Sequence, residues 1–208
     1  MGRSPLVWRR PRRYKARVKK LALSDILPPR LYEPVRDDMR RRVMEIKRPR
    51  RVSLGPIVTL VFENRATLIF QIQEMLRAEH LDTQDKIQAE IDIYNELIPE
   101  PGQLSATLFV EITEQAQIRP LLERMVGIDE HITLRIGEHV VAAEFEPGRS
   151  EADRISSVQY IRFTLPAAAA AALCTSGISL ALVSDHPQYD HRSELGEETR
   201  QSLAGDLA

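Results

Sequence analysis

Ile57-Val58-Thr59-Leu60-Val61-Phe62-Glu63-Asn64-Arg65, residues 57–65, decides the fold. Ile57, Val58, Leu60, Val61 and Phe62 make a short, nearly continuous apolar run rich in β-branched and aromatic residues, the signature of a strand buried on both faces. Glu63-Asn64-Arg65 closes it as a polar turn, with Asn64 placed to cap the following helix. In that helix Leu68, Ile69, Ile72, Met75 and Leu76 recur at helical spacing, while Gln71, Gln73, Glu74 and Arg77 fall largely outside the stripe. A second cap, Asp82 or Thr83, precedes Ile87, Ile91, Tyr94 and Leu97 or Ile98, and Pro99 ends the pattern. A buried strand followed by two amphipathic helices requires a sheet for those helices to cover.

Upstream, Leu21 to Pro29 reads as an apolar entry segment, and Val35, Met39, Val43 and Ile46 predict a helix over 31–47 that tolerates Pro34 in its first turn. Downstream, Ala106, Leu108, Val110 and Ile112 alternate as a strand. Residues 118–126 then form a helix around Pro120, capped by Gly127. His131 to Ile136 and His139 to Glu146 form a hairpin at Gly137-Glu138, with His131 and His139 as surface residues at its ends. A strand over 157–165, an alanine helix over 167–172, a strand over 178–183 and a polar C-terminal helix complete the pattern. The fold class is therefore α+β: a single domain over 21–208 with a mixed, mainly antiparallel sheet of about six strands packed by amphipathic helices. Residues 1–20 form a basic, disordered leader.

The 208 residues, 43% of them hydrophobic, suffice for one good-sized core. The apolar run Leu165 to Val183 is broken by Pro166, Thr175-Ser176-Gly177 and Ser179, so no membrane span is expected, and no secretory signal precedes it. One cysteine, Cys174, cannot pair internally. In its alanine helix it reads as a buried, inert thiol, and the setting as cytoplasmic. Residues 1–51 hold 18 Lys/Arg against 5 Asp/Glu, and the other 157 hold 11 against 25, so +13 is followed by −14. Such asymmetry suits a polyanionic partner, or neutralisation within the fold or across a homodimer.

Signatures for zinc, nucleotide, serine-hydrolase and metalloprotease sites are absent, and no cofactor is expected. Two constellations carry chemistry. Asp185-His186-Pro187-Gln188-Tyr189-Asp190-His191 reads as a loop at the end of a buried strand. Asp185, His186 and His191 are candidate metal ligands there, with His186 and Tyr189 as candidate catalytic groups. The opposing reading has Asp185 capping a turn and His186 and Tyr189 packing over the strand end. Arg48-Pro49-Arg50-Arg51 is a proline-stiffened loop without a neighbouring acid, which makes Arg48, Arg50 and Arg51 the candidate anion or partner contact. Arg40, Arg41 and Arg42 instead suit a solvated helix face, with Asp37 to Arg41 and Asp38 to Arg42 as i,i+4 pairs.

The succession LALSDILP (21–28), RDDMRRRVMEIKRPRRVSLGP (36–56), VTLVFENR (58–65), QIQEMLRAE (71–79) and YNELIP (94–99) resembles a bacterial family catalogued as domain of unknown function 3501. The likeness runs from about Leu21 to the C-terminus and takes in the His-Pro-x-Tyr element at His186 to Tyr189. It implies a setting beside rubrerythrin-like and iron-sulfur proteins rather than an activity. Family members also begin where Val18 stands, which implies a native start at residue 18 and a charge of −8 rather than −1 once seven Lys/Arg are removed. The leading expectation is a non-catalytic interaction or accessory protein with a protein partner. A metal-dependent or acid/base enzyme centred on Asp185, His186 and His191, and a nucleic-acid binder using Arg48 to Arg51, are the alternatives.

Overall fold

The computed structural model describes residues 19–148 and 154–207. Strands β1 (Arg51–Leu54), β2 (Val58–Glu63), β3 (Gln103–Val110), β7 (Val158–Thr164) and β6 (Glu144–Phe145) form one sheet in the order β1-β2-β3-β7-β6. A second sheet has the order β5 (His139–Ala142), β4 (Ile132–Ile136), β8 (Leu180–His186) and β9 (Tyr189–Glu194). The α+β class holds. In detail, the one mixed sheet of about six strands is corrected to two sheets in which every pairing is antiparallel. The division arises because the segment 139–145 hands over from β4 to β7 at Ala143.

β2 is buried along its whole length because its sheet is a middle layer. Leu60 and Phe62 face the second sheet in a core that includes Leu108, Phe163, Leu134 and Leu182. The opposite face lies under α3 (Arg65–Ala78) and α4 (Gln84–Asn95), whose Leu68, Ile72, Leu76, Ile87 and Ile91 gather with Leu21 and Ile26 in a second cluster. Asn64 caps α3 as its position requires, its Oδ1 accepting from the Ala66 and Thr67 amides at 3.1 Å each.

The helix expected over 31–47 is divided into α1 (Pro29–Tyr32), a 3-10 turn holding Pro34, and α2 (Arg36–Lys47). In α5 (Gln115–Arg124) Pro120 lies inside the helix, and Gly127 follows with a left-handed φ of 90°. Cys174 is exposed, contrary to expectation. It ends α6 (Ala167–Leu173), whose inward residues are Ala169 and Leu173, so the next position turns outward. The loop expected over 185–191 is instead the tip of the β8–β9 hairpin, with Pro187-Gln188 as its turn and Asp185 opposite Asp190. The polar helix is α7 (Glu197–Ala204). Among the described residues no helix is long and apolar enough to cross a membrane. The reading of residues 1–20 as a leader falls, for 1–18, outside the described residues, as does that of Val18 as a start. Lys20 is held, its Nζ donating to the Asn95 carbonyl at 2.8 Å and pairing with Glu100 at 3.0 Å.

Candidate functional site

Strand register sorts the candidates: His186, Tyr189 and His191 share one face of the β8–β9 hairpin, and Asp185 lies on the other. His186 is buried and both ring nitrogens are engaged: Nε2 lies 3.0 Å from the Val126 carbonyl, and Nδ1 accepts the Gln188 amide at 3.2 Å. With Nδ1 accepting, Nε2 is the nitrogen that donates to the Val126 carbonyl. Asp185 points to the opposite face, where its Oδ1 meets His131 Nδ1 at 2.8 Å, and this hydrogen bond holds its carboxyl below the usual carboxylate range. His131, expected to be an ordinary hairpin-end residue, thus joins the constellation and meets the His186 ring edge-on with centroids 5.2 Å apart. His139 begins β5, away from these contacts. His191 packs on Tyr189 at 4.4 Å. Among the described residues no three His, Cys, Asp or Glu side chains are placed to hold a metal, so Asp185, His186 and His191 do not converge as a ligand set.

Tyr189 is a clamp between the sheets. Its hydroxyl donates to the Leu54 carbonyl at 2.6 Å and accepts the Ile57 and Val58 amides at 3.2 and 3.0 Å, spanning the β1–β2 turn. Burial pushes this phenol up, so it stays protonated at neutral pH. Gly55 in that turn has φ 70° and lies directly under the Tyr189 and His191 rings.

Each arginine of the 48–51 cluster finds a carboxylate of this chain, far away in sequence. Arg48 pairs with Glu198 at 2.7 Å, Arg51 with Glu111 at 2.5 Å, and buried Arg50 forks onto Asp206 at 2.7 and 2.8 Å. The segment is a 3-10 turn seated against α7. A comparable network fixes α1 and α2 to α3. Glu74 accepts a two-pronged hydrogen bond from Arg36 at 2.8 and 2.7 Å and another from the Tyr32 hydroxyl at 2.6 Å. These donors, Arg36 foremost, hold the Glu74 carboxyl below its ordinary value of 4.5. Stability from this group is therefore full above that value and is lost as pH falls through the lower folded one. Urea unfolding at pH 7 and pH 3 is expected to show a smaller acid loss for Glu74→Gln than for the native chain. Equal losses would exclude this linkage.

The outer face of α2 remains open. Only Val43 of this helix is fully buried, while Met44 is 45% exposed and Leu31 of α1 is 55% exposed. Arg40, Arg41 and Arg48 lie one helical turn from Met44. Glu63, expected as part of a polar turn, is the last residue of β2 and only 1% exposed. Its Oε1 accepts from Gln71 Nε2 at 2.9 Å and the Thr107 hydroxyl at 3.2 Å, with Lys47 Nζ at 3.8 Å. Its Oε2 has no hydrogen-bond partner among the described residues. The sequence signal for this was position: Glu63 continues the alternation of Thr59 and Val61 in a strand buried on both faces.

These features define a two-sheet antiparallel α+β protein whose polar networks are mainly internal. The chain matches the family described as protein of unknown function (DUF3501) over residues 20–207 and belongs to it. It is similar to a protein of unknown function from Burkholderia pseudomallei K96243, solved by crystallography. Their identity is 35% and the TM-score 0.85, over 91% of this chain and 100% of that one. No curated protein matches.

Proposed function

We propose that this protein is a non-catalytic interaction module that docks an acidic protein surface through the outer face of α2. The observation that carries the reading is the exposed Met44 one helical turn from Arg40 and Arg41 on the outer face of α2. Methionine and arginine are the residue types enriched where proteins meet, and a cationic rim selects an acidic partner. The redox setting implied by the family resemblance supplies the first partners to try, a rubrerythrin-like or iron-sulfur protein of the native host. The nucleic-acid reading is weaker because Arg48, Arg50 and Arg51 are already held by carboxylates.

The triple variant Arg40→Glu, Arg41→Glu, Met44→Glu is expected to keep the native circular dichroism spectrum. In a titration against the purified partner it should lose roughly tenfold or more in affinity. The same titration, and cross-linking in the native host, sink the reading if the variant engages the same proteins as strongly. A second reading, acid–base chemistry, moves from His186 to His131, because the Asp185 carboxylate meets Nδ1 of His131 and orients its ring. Turnover of an ester or phosphoester that disappears in His131→Gln would favour it.

A further inference from the structure

Cross-strand register lines up three polar residues on the face of the first sheet that α3 and α4 cover. Ser105 of β3 stands opposite Arg162 of β7, and Arg162 stands opposite Glu144 of β6. Directly opposed residues share a face with their Cβ atoms about 4.5–5.5 Å apart, so the three make one transverse row. All three line a cavity of about 480 Å³, together with Tyr160 of β7 and with Leu97 just beyond α4. The row is short of partners. Ser105 is 4% exposed, and its hydroxyl makes no hydrogen bond among the described residues, a rare state for a buried polar group. Arg162 has a carboxylate directly across from it in Glu144, yet the two form no ion pair. Among the described residues the Arg162 guanidinium makes a single hydrogen bond, from Nη2 to the Glu96 carbonyl, and the rest of its fork is uncommitted.

We propose that this cavity binds a free α-amino acid with an apolar side chain. The carboxylate of the ligand accepts from the Arg162 fork and the Ser105 hydroxyl, its ammonium meets Glu144, and its side chain lies against Leu97 and Tyr160. A planar guanidinium matches a carboxylate in geometry as well as charge, and hydrogen bonds between ionised groups are the strong ones. The zwitterion answers both ends of the row. A carboxylate alone would meet the field of Glu144, Glu96 and Glu146 without compensation, and an amine alone would leave Arg162 and Ser105 unanswered. Leu97 belongs to the apolar cluster beneath α4, and Tyr160 packs against that cluster, so the ligand's side chain extends an apolar surface that already exists. The cavity volume falls within the range of about 300–1,000 Å³ usual for small-molecule sites.

Calorimetric titration of the full chain at pH 7 with leucine, methionine and phenylalanine, each beside its decarboxylated and its deaminated analogue, tests the proposal. One-to-one binding of at least one amino acid is expected. Both of its analogues should bind more weakly by roughly tenfold or more, and so should the amino acid itself to Arg162→Met, since each change removes a charge-assisted hydrogen bond. No binding by any of the three, an analogue that binds as tightly as its parent, or undiminished binding to Arg162→Met overturns it. If circular dichroism shows that Arg162→Met does not fold, Glu144→Gln, a change at the exposed end of the row, decides. It is expected to weaken the amino acid by roughly a few-fold, and unchanged affinity overturns the proposal.

Discussion

Gly55→Ala is expected to cost about 3 kcal/mol or more of unfolding free energy, among the largest effects of any single methyl group in the molecule. A side chain at φ 70° carries an intrinsic strain of about 1–2 kcal/mol. The added Cβ would also lie 2.5 Å from His191 Cδ2 and 2.8 Å from the Tyr189 hydroxyl. Relief requires Tyr189 to move, and with it the three backbone hydrogen bonds made by that hydroxyl. Tyr189→Phe, which keeps the ring and removes only the oxygen, is expected to cost about 2–3 kcal/mol, because buried backbone groups then lose their partner. Urea denaturation monitored by tyrosine fluorescence or circular dichroism gives both values. A Gly55→Ala midpoint equivalent to less than about 0.5 kcal/mol would falsify the clamp as described.

The second large effect is expected at Arg50. Its guanidinium is 3% exposed at the side chain and meets Asp206, 12% exposed, through two parallel hydrogen bonds, with a further bond from Nη2 to the Ser202 carbonyl at 2.8 Å. Removing either member strands a charge away from water, so Arg50→Ala and Asp206→Ala should each cost about 3–5 kcal/mol. Arg50→Lys should not recover the loss, since an ammonium cannot reproduce the fork. The double variant Arg50→Met, Asp206→Leu should recover much of it, because no unpaired charge remains. Limited proteolysis adds an independent reading: cleavage near α7 should accelerate in the single variants and not in the double one. Single-variant losses below about 1 kcal/mol would place the pair with ordinary surface ion pairs and refute the assignment.

Local patterns in the sequence translated well into elements, and long-range partners did not. The strand through Val58 to Phe62, the Asn64 cap and the hairpin at Gly137-Glu138 each rest on signals contained within a dozen residues. β9 carried no such signal, since Tyr189-Asp190-His191-Arg192-Ser193-Glu194 shows no apolar alternation and is held in place by β8 and by the tyrosine clamp. The arginines at 48, 50 and 51 looked unpaired because their acids lie between 60 and 156 residues away. His131 and Asp185 are likewise 54 residues apart and meet only because β4 and β8 are neighbours. Asp185, His186 and His191 are close in sequence, yet strand alternation turns Asp185 away from the face that His186 and His191 share, and those two rings meet different partners, the Val126 carbonyl and the Tyr189 ring.

The handover at Ala143 bears on how the protein avoids association with itself. A sheet ordinarily ends in strands whose unpaired amides and carbonyls invite another chain to add on. Here the last strand of one sheet and the first of the other are a single length of backbone, β5 running into β6, so one open margin is closed covalently. The opposite margin brings β1 beside β9 and is fastened by the Ser193 hydroxyl to the Ser53 carbonyl at 2.5 Å and by Tyr189 to Leu54. That second margin is a latch made of side chains, and a latch can open without unfolding the remainder. Hydrogen exchange should therefore find β1 and β9 least protected among the strands, and variants that loosen Tyr189 should form β-rich aggregates before they lose their helices.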